Sequence, residues 1–319
     1  MDKRKFRVRL ILFMLLVSVV SGLFSGVKEV EAPIYSVGAS TSQRATSSSA
    51  QRKTFYENGF TYIFYSDGTN MVYQYLQGDT GSSWSNPISV VVATSGLMFS
   101  VWHNANYVYY ALTDDSSPGN AVYYCRGSLG VNGIISWGTQ RTVKTGVAGK
   151  YHKLPTLTLD SSNRPWVMFS YQDGTATSIY AYYNANNDGS GSWIATTFYA
   201  SVWNGGYANQ FVTLILPLTS GKLYAIWDNP AGTPPRIGGK LWDGASWGSF
   251  EQISYYQPLV TTDGSGVFSA VSQGDDVHFV FIETFYYHVK YRKRTYGASP
   301  AWGTTSTEVF VSGPEGVTG

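Results

Sequence analysis

The chain has 319 residues, a length that accommodates either two domains or one large all-β domain. Aromatic residues make up 16% of it and charged residues only 13%, and it contains 34 glycines. This composition favours β-strands joined by tight turns, because aromatic rings pack well on a pleated surface and glycine adopts the positive φ that such turns need. The formal net charge is only +2, and five basic residues lie within the first nine positions. No basic face remains that would predict nucleic-acid binding.

The first 32 residues have the three parts of an export signal. The basic start is followed by an apolar stretch over 10–23 and by a small-residue cleavage site, Val-Glu-Ala, at 30–32. Because the apolar stretch is shorter than the roughly 20 residues that comfortably span a bilayer, we expect cleavage and a mature start near Pro33. The alternative is an uncleaved anchor, which would be the only membrane contact. Both alternatives predict a secreted or cell-surface protein.

Residues 33–51 are rich in Ser, Thr, Ala and Gln and contain little that could form a core, so they are predicted to be a linker. The folded domain is then expected over 52–319. Cys125 is the only cysteine, and therefore no intrachain disulfide can form. We expect stability to come from a packed repeat core instead.

Five Trp residues close similar segments of the chain: Trp84, Trp137, Trp193, Trp247 and Trp302. Successive spacings are 53, 56, 54 and 55 residues. A near-constant period of this size, without a helical pattern outside the signal, predicts repeated supersecondary units that bury their faces against one another.

The third unit shows the internal order of a repeat most clearly. Strands are predicted over 154–160, 165–173 and 178–186, and a fourth follows the Gly-rich turn that ends at Trp193. Four antiparallel strands in about 55 residues are typical of a β-propeller blade. The sequence therefore predicts an all-β propeller with five visible four-stranded blades. Either these five close the ring, or the propeller is truncated from one with six or more.

The turns that lead to the Trp residues resemble the Asp-box of sialidases and related propellers, Ser-x-Asp-x-Gly-x-x-Trp. The first copy has Asp79, Gly81 and Trp84, with Gln77 in place of the leading Ser. Weaker copies are Asp188 with Trp193, Asp243 with Trp247, and a turn at Asn132 that leads to Trp137. In the motif the Asp accepts backbone N–H bonds, Gly takes the positive φ and Trp plugs between strands, so a structural role is expected for these residues.

A second similarity lies at the start of the third unit, where Tyr151, His152, Lys153, Leu154 and Pro155 resemble the Tyr-Arg-Ile-Pro sequence that opens a sialidase blade. In that family the arginine contributes to a triad that clamps the sialic acid carboxylate. Lys153 stands in its place and offers only a point charge, where a planar guanidinium binds a carboxylate with two hydrogen bonds. The resemblance thus implies the sialidase-like fold more strongly than sialidase activity.

Each predicted second strand ends in a carboxylate, and these residues are Asp67, Asp114, Asp173, Asp228 and Glu283. Propeller glycosidases use two or three such groups as acid, base or nucleophile, so Asp67, Asp173, Asp228 and Glu283 are candidate catalytic residues. Glu283 is the best single candidate, because burial in the run VFIETFYY would raise its pKa toward that of a general acid. The alternative is that Asp67 and Asp173, each followed by Gly, only form turns.

The loops between blades carry rings and amides suited to stacking on sugars and bonding their hydroxyl groups. These candidate ligand-binding residues are Tyr151, His152, Lys153, Trp203, Tyr207, Asn209, Gln210, Tyr255 and Tyr256. Ordinary packing is the alternative explanation for many of them. The four His residues have no metal-ligand spacing, and neither a P-loop nor a dinucleotide fingerprint occurs, so no metal or cofactor is predicted.

The leading functional hypothesis is a secreted or surface propeller that binds a glycan or a protein partner through the face with the inter-blade loops. The alternative is a glycoside hydrolase of the sialidase-like or arabinanase-like kind. The fold is shared by both classes and does not choose between them. The acidic and aromatic candidates are expected at one mouth of the channel, with the Asp-box turns at the opposite end.

Overall fold

The computed structural model describes the repeat region with several gaps. The described residues are 36–78, 83–114, 119–174, 176–196, 198, 212–229, 236–254, 268–282, 288–296, 301–303 and 307–310. The only helical element in these ranges is a single 3-10 turn at Gly96–Met98. In the same ranges we find no helix with the length and apolar character needed to cross a membrane.

The strands form five antiparallel sheets, here called blades 1 to 5. Blade 1 consists of β1 (Thr54–Glu57), β2 (Phe60–Ser66), β3 (Asn70–Gln77) and β4 (Ile88–Val92). Blade 2 consists of β5 (Phe99–His103), β6 (Tyr107–Thr113), β7 (Val122–Leu129), β8 (Ile135–Trp137) and β9 (Arg141–Lys144). Blade 3 consists of β10 (Lys150–Leu159), β11 (Pro165–Asp173), β12 (Ala176–Asn184) and β13 (Trp193–Ala195).

Blade 4 consists of β14 (Thr213–Pro217), β15 (Leu223–Asn229), β16 (Arg236–Trp242) and β17 (Glu251–Gln252). Blade 5 consists of β18 (Phe268–Gln273), β19 (Asp276–Ile282), β20 (Val289–Thr295), β21 (Ala301–Trp302) and β22 (Thr307–Phe310). In blades 2 and 5 the outermost strand is split, because β8 and β9 both pair with β7, and β21 and β22 both pair with β20. The five predicted four-stranded units of the all-β fold are therefore confirmed in the described part of the chain.

The five Trp residues occupy equivalent positions in these blades. In four blades the residue after the Trp donates its backbone N–H to a third-strand carbonyl; the donors are Ser85, Gly138, Gly248 and Gly303, at 2.9, 2.9, 2.8 and 3.1 Å from their acceptors. In blade 3 the Trp itself lies in the outermost strand, where Trp193 pairs with Asn184. The predicted fourth strand of the third unit thus begins at the Trp and not after it.

Four of the Trp side chains join neighbouring blades, namely those of Trp137, Trp193, Trp247 and Trp302. The ring of Trp193 lies 5.2 Å from that of Tyr124 in blade 2, and the ring of Trp302 lies 5.8 Å from that of Tyr224 in blade 4. The Trp302 indole also donates a hydrogen bond of 2.8 Å to the Tyr224 hydroxyl. The four apolar clusters lie mainly between successive blades, with one cluster for each neighbouring pair. This packing of face against face is that of a β-propeller.

The segment that precedes β1 differs from the linker predicted over 33–51, because the compact repeat unit begins at Val37. The Gln51 amide donates 2.9 Å hydrogen bonds to the carbonyls of Leu97 and Pro155, and the Ser49 hydroxyl bonds to the Phe268 carbonyl at 2.8 Å. These acceptors lie at the inner side of blades 2, 3 and 5. The segment therefore belongs to the folded unit, held by polar side chains on backbone carbonyls, a kind of contact that its composition does not reveal.

Candidate functional site

Strand order decides which predicted residues share a face of the propeller. Antiparallel pairing places the end of each second strand and the start of each third strand at the same end of the blade as the start of its innermost strand. Asp173 lies at this end beside Lys150 and Tyr151, which begin the innermost strand of blade 3. The Asp188 and Asp243 turns join third to fourth strands and lie at the opposite end. We call these the loop face and the Trp-turn face.

Two of the predicted catalytic carboxylates have local partners in the structure. Asp67 accepts 2.8 Å hydrogen bonds from the backbone N–H groups of Thr69 and Asn70, and so closes its own turn. Asp173 forms an ion pair with Lys150 at the edge of the loop face. These contacts match the alternative in which both residues stabilise turns.

Asp228 has a different environment, because only 6% of the residue is exposed. Burial raises the pKa of its carboxyl from 3.8 to about 8. Its Oδ1 atom has no hydrogen-bond partner among the described residues. Burial therefore favours the neutral form of this carboxyl group, which is the form required of a general acid and also the less costly form to bury.

His152 lies in the interior, with 0% of its surface exposed, so a direct contact with a ligand does not fit its position. Its Nδ1 atom lies 2.7 Å from the Asn120 carbonyl oxygen, and its backbone N–H donates to the Asn120 side chain at 2.8 Å. Burial lowers the pKa of the imidazole. Lys153 and Tyr151 are half-buried neighbours, with the Lys153 amine 5.0 Å from the centre of the Tyr151 ring. His152 therefore ties blade 3 to the connection that follows β6.

Several predicted site residues lie outside the described residues. They are Glu283, Trp203, Tyr207, Asn209, Gln210, Tyr255 and Tyr256 of the predicted loop-face site, and Asp79 and Gly81 of the first Asp-box turn. Their predicted roles stay predictions.

The Asp turns of blades 3 and 4 have the geometry expected of a structural motif. Asp188 accepts bonds from the Ser190 N–H at 3.0 Å and from its hydroxyl at 2.6 Å. Asp243 accepts 2.8 Å bonds from the N–H groups of Ala245 and Ser246. These hydrogen bonds lower the pKa of both carboxyl groups. The carboxylates therefore stabilise the turns that present the next Trp.

A cleft that the sequence did not predict lies between blades 3 and 4 at the outer strands, and we call it the blade 3–4 cleft. Its volume is about 510 Å³. It is lined by Tyr183, Ile194, Ala195, Thr196, Lys240, Trp242, Ala245, Ser246 and Trp247. The indole N–H of Trp247 donates to the Thr196 hydroxyl at 3.0 Å, whereas that of Trp242 is buried without a partner among the described residues. Aromatic rings, hydroxyl groups and an amine thus surround one open groove.

An equivalent cleft lies one blade earlier, and we call it the blade 2–3 cleft. Its volume is about 250 Å³. It is lined by Arg126, Ser128, Ser136, Trp137, Gly138, Thr139, Arg141 and Asp188. The two clefts correspond in strand register, because Trp137 pairs with Gly127 while Trp193 pairs with Asn184, so Arg126 and Tyr183 occupy the same place. The Trp spacing was the signal that could have located both clefts, since each cleft lies beside a Trp turn.

Among the described residues, no three His, Cys, Asp or Glu side chains lie close enough together to hold a metal ion.

No protein-family model and no curated protein sequence matches this chain. Three solved structures show a similar fold. A lectin of Aleuria aurantia in complex with Fucα1-6GlcNAc has a TM-score of 0.51 and 14% identity, over 82% of this chain and 79% of that chain. An ulvan lyase from a new family of polysaccharide lyases has a TM-score of 0.55 and 8% identity, over 87% and 74%. The NanB sialidase from Streptococcus pneumoniae has a TM-score of 0.54 and 10% identity, over 86% and 63%. At these identities the likeness establishes the propeller-type fold alone.

Proposed function

We propose that this protein is a glycan-binding β-propeller that holds a saccharide in the blade 3–4 cleft. The observation that carries the proposal is the lining of this cleft, in which Tyr183, Trp242 and Trp247 lie beside hydroxyl groups and the Lys240 amine. Sugars present apolar C–H faces and a rim of hydroxyl groups, and they match sites that combine aromatic rings with a few polar groups. The volume of about 510 Å³ lies within the usual range for a ligand site.

The buried indole N–H of Trp242 gives this cleft a specific need for an acceptor. A buried donor without a partner costs about 1 to 3 kcal/mol, and a sugar hydroxyl oxygen would satisfy it. Ile194 is 44% exposed at the rim of the cleft and supplies an apolar surface on which the sugar ring can pack. Two of the three structures with a similar fold hold saccharides, which agrees with this proposal. Export through the N-terminal segment would place the protein where extracellular glycans occur.

The experiment is a screen on an array of oligosaccharides, followed by calorimetry with the strongest neutral ligand. Ala195→Arg fills the cleft from an exposed strand position, and we expect it to weaken binding by at least about tenfold, or about 1.4 kcal/mol. Val131→Arg is the matched control, because Val131 is 95% exposed in a turn that does not line the cleft. Equal affinity of both variants for the ligand would refute the assignment to this cleft.

A glycoside hydrolase is the second candidate, and the environment of Asp228 favours it. Burial raises the pKa of this carboxyl to about 8, which favours the protonated form that a general acid needs at neutral pH. Release of reducing sugar from an oligosaccharide, whose leaving oxygen needs a proton, would support this function if it is lost in Asp228→Asn. Hydrolysis that is unchanged in the variant would refute the role of Asp228.

A further inference from the structure

The blade 2–3 cleft differs from its neighbour in charge. Arg126 and Arg141 enter it from blade 2, and Asp188 enters it from the Trp turn of blade 3. Two guanidinium groups and one carboxylate leave one positive charge without a balancing group in the lining. In a groove partly shielded from water such a charge attracts an anion more strongly than it would on an open surface.

Arg126 is held in place by two contacts. Its Nη1 donates a 2.9 Å hydrogen bond to Asn187 Oδ1, and the guanidinium carbon lies 4.5 Å from the centre of the Tyr107 ring. The bond to Asn187 uses one of the five N–H groups of a guanidinium. A fixed, planar donor of this kind loses little conformational entropy when it binds a carboxylate or sulfate.

Two residues that line the cleft also carry buried donors without partners among the described residues, namely Nε of Arg141 and Nε1 of Trp137. Each such donor costs about 1 to 3 kcal/mol unless an acceptor satisfies it. Asp188 does not fill this role in the structure, because neither donor forms a hydrogen bond with it. The geometry of the cleft therefore lacks an acceptor at the two positions where donors are buried.

We propose that the blade 2–3 cleft binds the anionic group of an acidic saccharide, either a carboxylate or a sulfate ester. Both groups offer oxygens that accept from a guanidinium in pairs. The hydroxyl groups of Ser128, Ser136 and Thr139 line the same cleft and suit the neighbouring sugar hydroxyls. This is a second site with its own chemistry, separate from the blade 3–4 cleft.

The test compares four probes by calorimetry on the folded full chain: methyl glucuronide, methyl glucoside, glucose 6-sulfate and inorganic sulfate. We expect at least one acidic sugar to bind more tightly than methyl glucoside, and to bind more weakly as salt rises from about 50 to about 500 mM. Binding of the glucuronide alone identifies a carboxylate site, and binding of the sulfated sugar alone identifies a sulfate site. Inorganic sulfate that binds as tightly as either acidic sugar would overturn the saccharide assignment.

Variants at Arg141 locate the site. Arg141→Gln should weaken binding of the acidic sugar by at least about tenfold. Arg141→Lys should keep only part of the affinity, because it preserves the charge but loses the paired hydrogen bonds. Lys150→Gln is the matched control, because it removes one positive charge from the loop face. An Arg141→Gln protein that unfolds at the wild-type temperature and binds the acidic sugar unchanged would overturn the proposal.

Ala195→Arg separates this inference from the proposed function, because it fills only the blade 3–4 cleft. It should leave the affinity for the acidic sugar unchanged. Neutral glycans bound at the blade 3–4 cleft, with no preference for acidic sugars, would refute this inference alone. Absence of binding to every glycan would refute both.

Discussion

Replacing Asp228 by Asn tests the buried carboxyl through the pH dependence of stability. The folded protein holds this group with a pKa of about 8, against 3.8 for an unshielded Asp. Below about pH 4 the carboxyl is protonated in both the folded and the unfolded chain, so its ionisation does not affect folding. Between about pH 4 and pH 8 the unfolded chain releases the proton and the folded chain retains it, so the wild-type protein loses stability as pH rises.

The magnitude follows from about 1.4 kcal/mol per pKa unit, which gives a loss on the order of 4 kcal/mol by pH 7 relative to pH 4. The amide that replaces the carboxyl in the variant is neutral at every pH and has nearly the same shape. We therefore expect Asp228→Asn to match the wild type near pH 4 and to exceed it in unfolding free energy above about pH 6, by several kcal/mol near pH 8.

Urea unfolding followed by Trp fluorescence, at several values between about pH 4 and pH 8, measures this difference. Asp173→Asn is the control, because it removes a carboxylate whose side chain is 49% exposed. An Asp228→Asn variant whose stability differs from the wild type by the same amount at every pH would refute the reasoning.

Two further predictions concern the Trp turns. Trp137→Ala should destabilise by about 3 kcal/mol as a large-to-small change between blades 1 and 2. Trp84→Ala should destabilise by less, because Trp84 packs in none of the four apolar clusters of the described residues, and equal losses by urea unfolding would contradict this. Gly189→Ala should destabilise by about 2 to 3 kcal/mol, because φ is +72° and a Cβ atom would lie 2.6 Å from the Tyr124 ring. Gly59→Ala is the control, because its φ of +81° is close to that of Gly189 and the new methyl meets open space, so its smaller loss of thermal stability isolates the clash.

The repeat architecture could be predicted from the sequence because the Trp spacing and the strand patterns are local features of the chain. The Trp period located all five blades, and the run from Pro165 to Asp173 corresponds residue for residue to β11. The segment before β1 could not be predicted in this way. Ser49 and Gln51 are held by hydrogen bonds to carbonyls more than 40 residues away, and polar composition gives no sign of such contacts.

The blade 2–3 cleft was not predicted for a related reason. Arg126 and Arg141 meet Asp188 only because neighbouring blades pack, and no short motif joins residues so far apart in the chain. His152 was predicted to contact a ligand because it was assigned to an inter-blade loop with rings and amides suited to sugars. The structure buries it against Asn120, since a neutral imidazole can satisfy its Nδ1 proton on a backbone carbonyl.

A crystal structure of the protein soaked with the strongest neutral glycan tests the central claim most directly. The account predicts a sugar ring in the blade 3–4 cleft, in contact with Trp247 and Ile194 and within hydrogen-bond distance of Trp242 Nε1. A sugar bound instead at the loop face, beside Asp173 and Tyr151, with the blade 3–4 cleft empty, would contradict it.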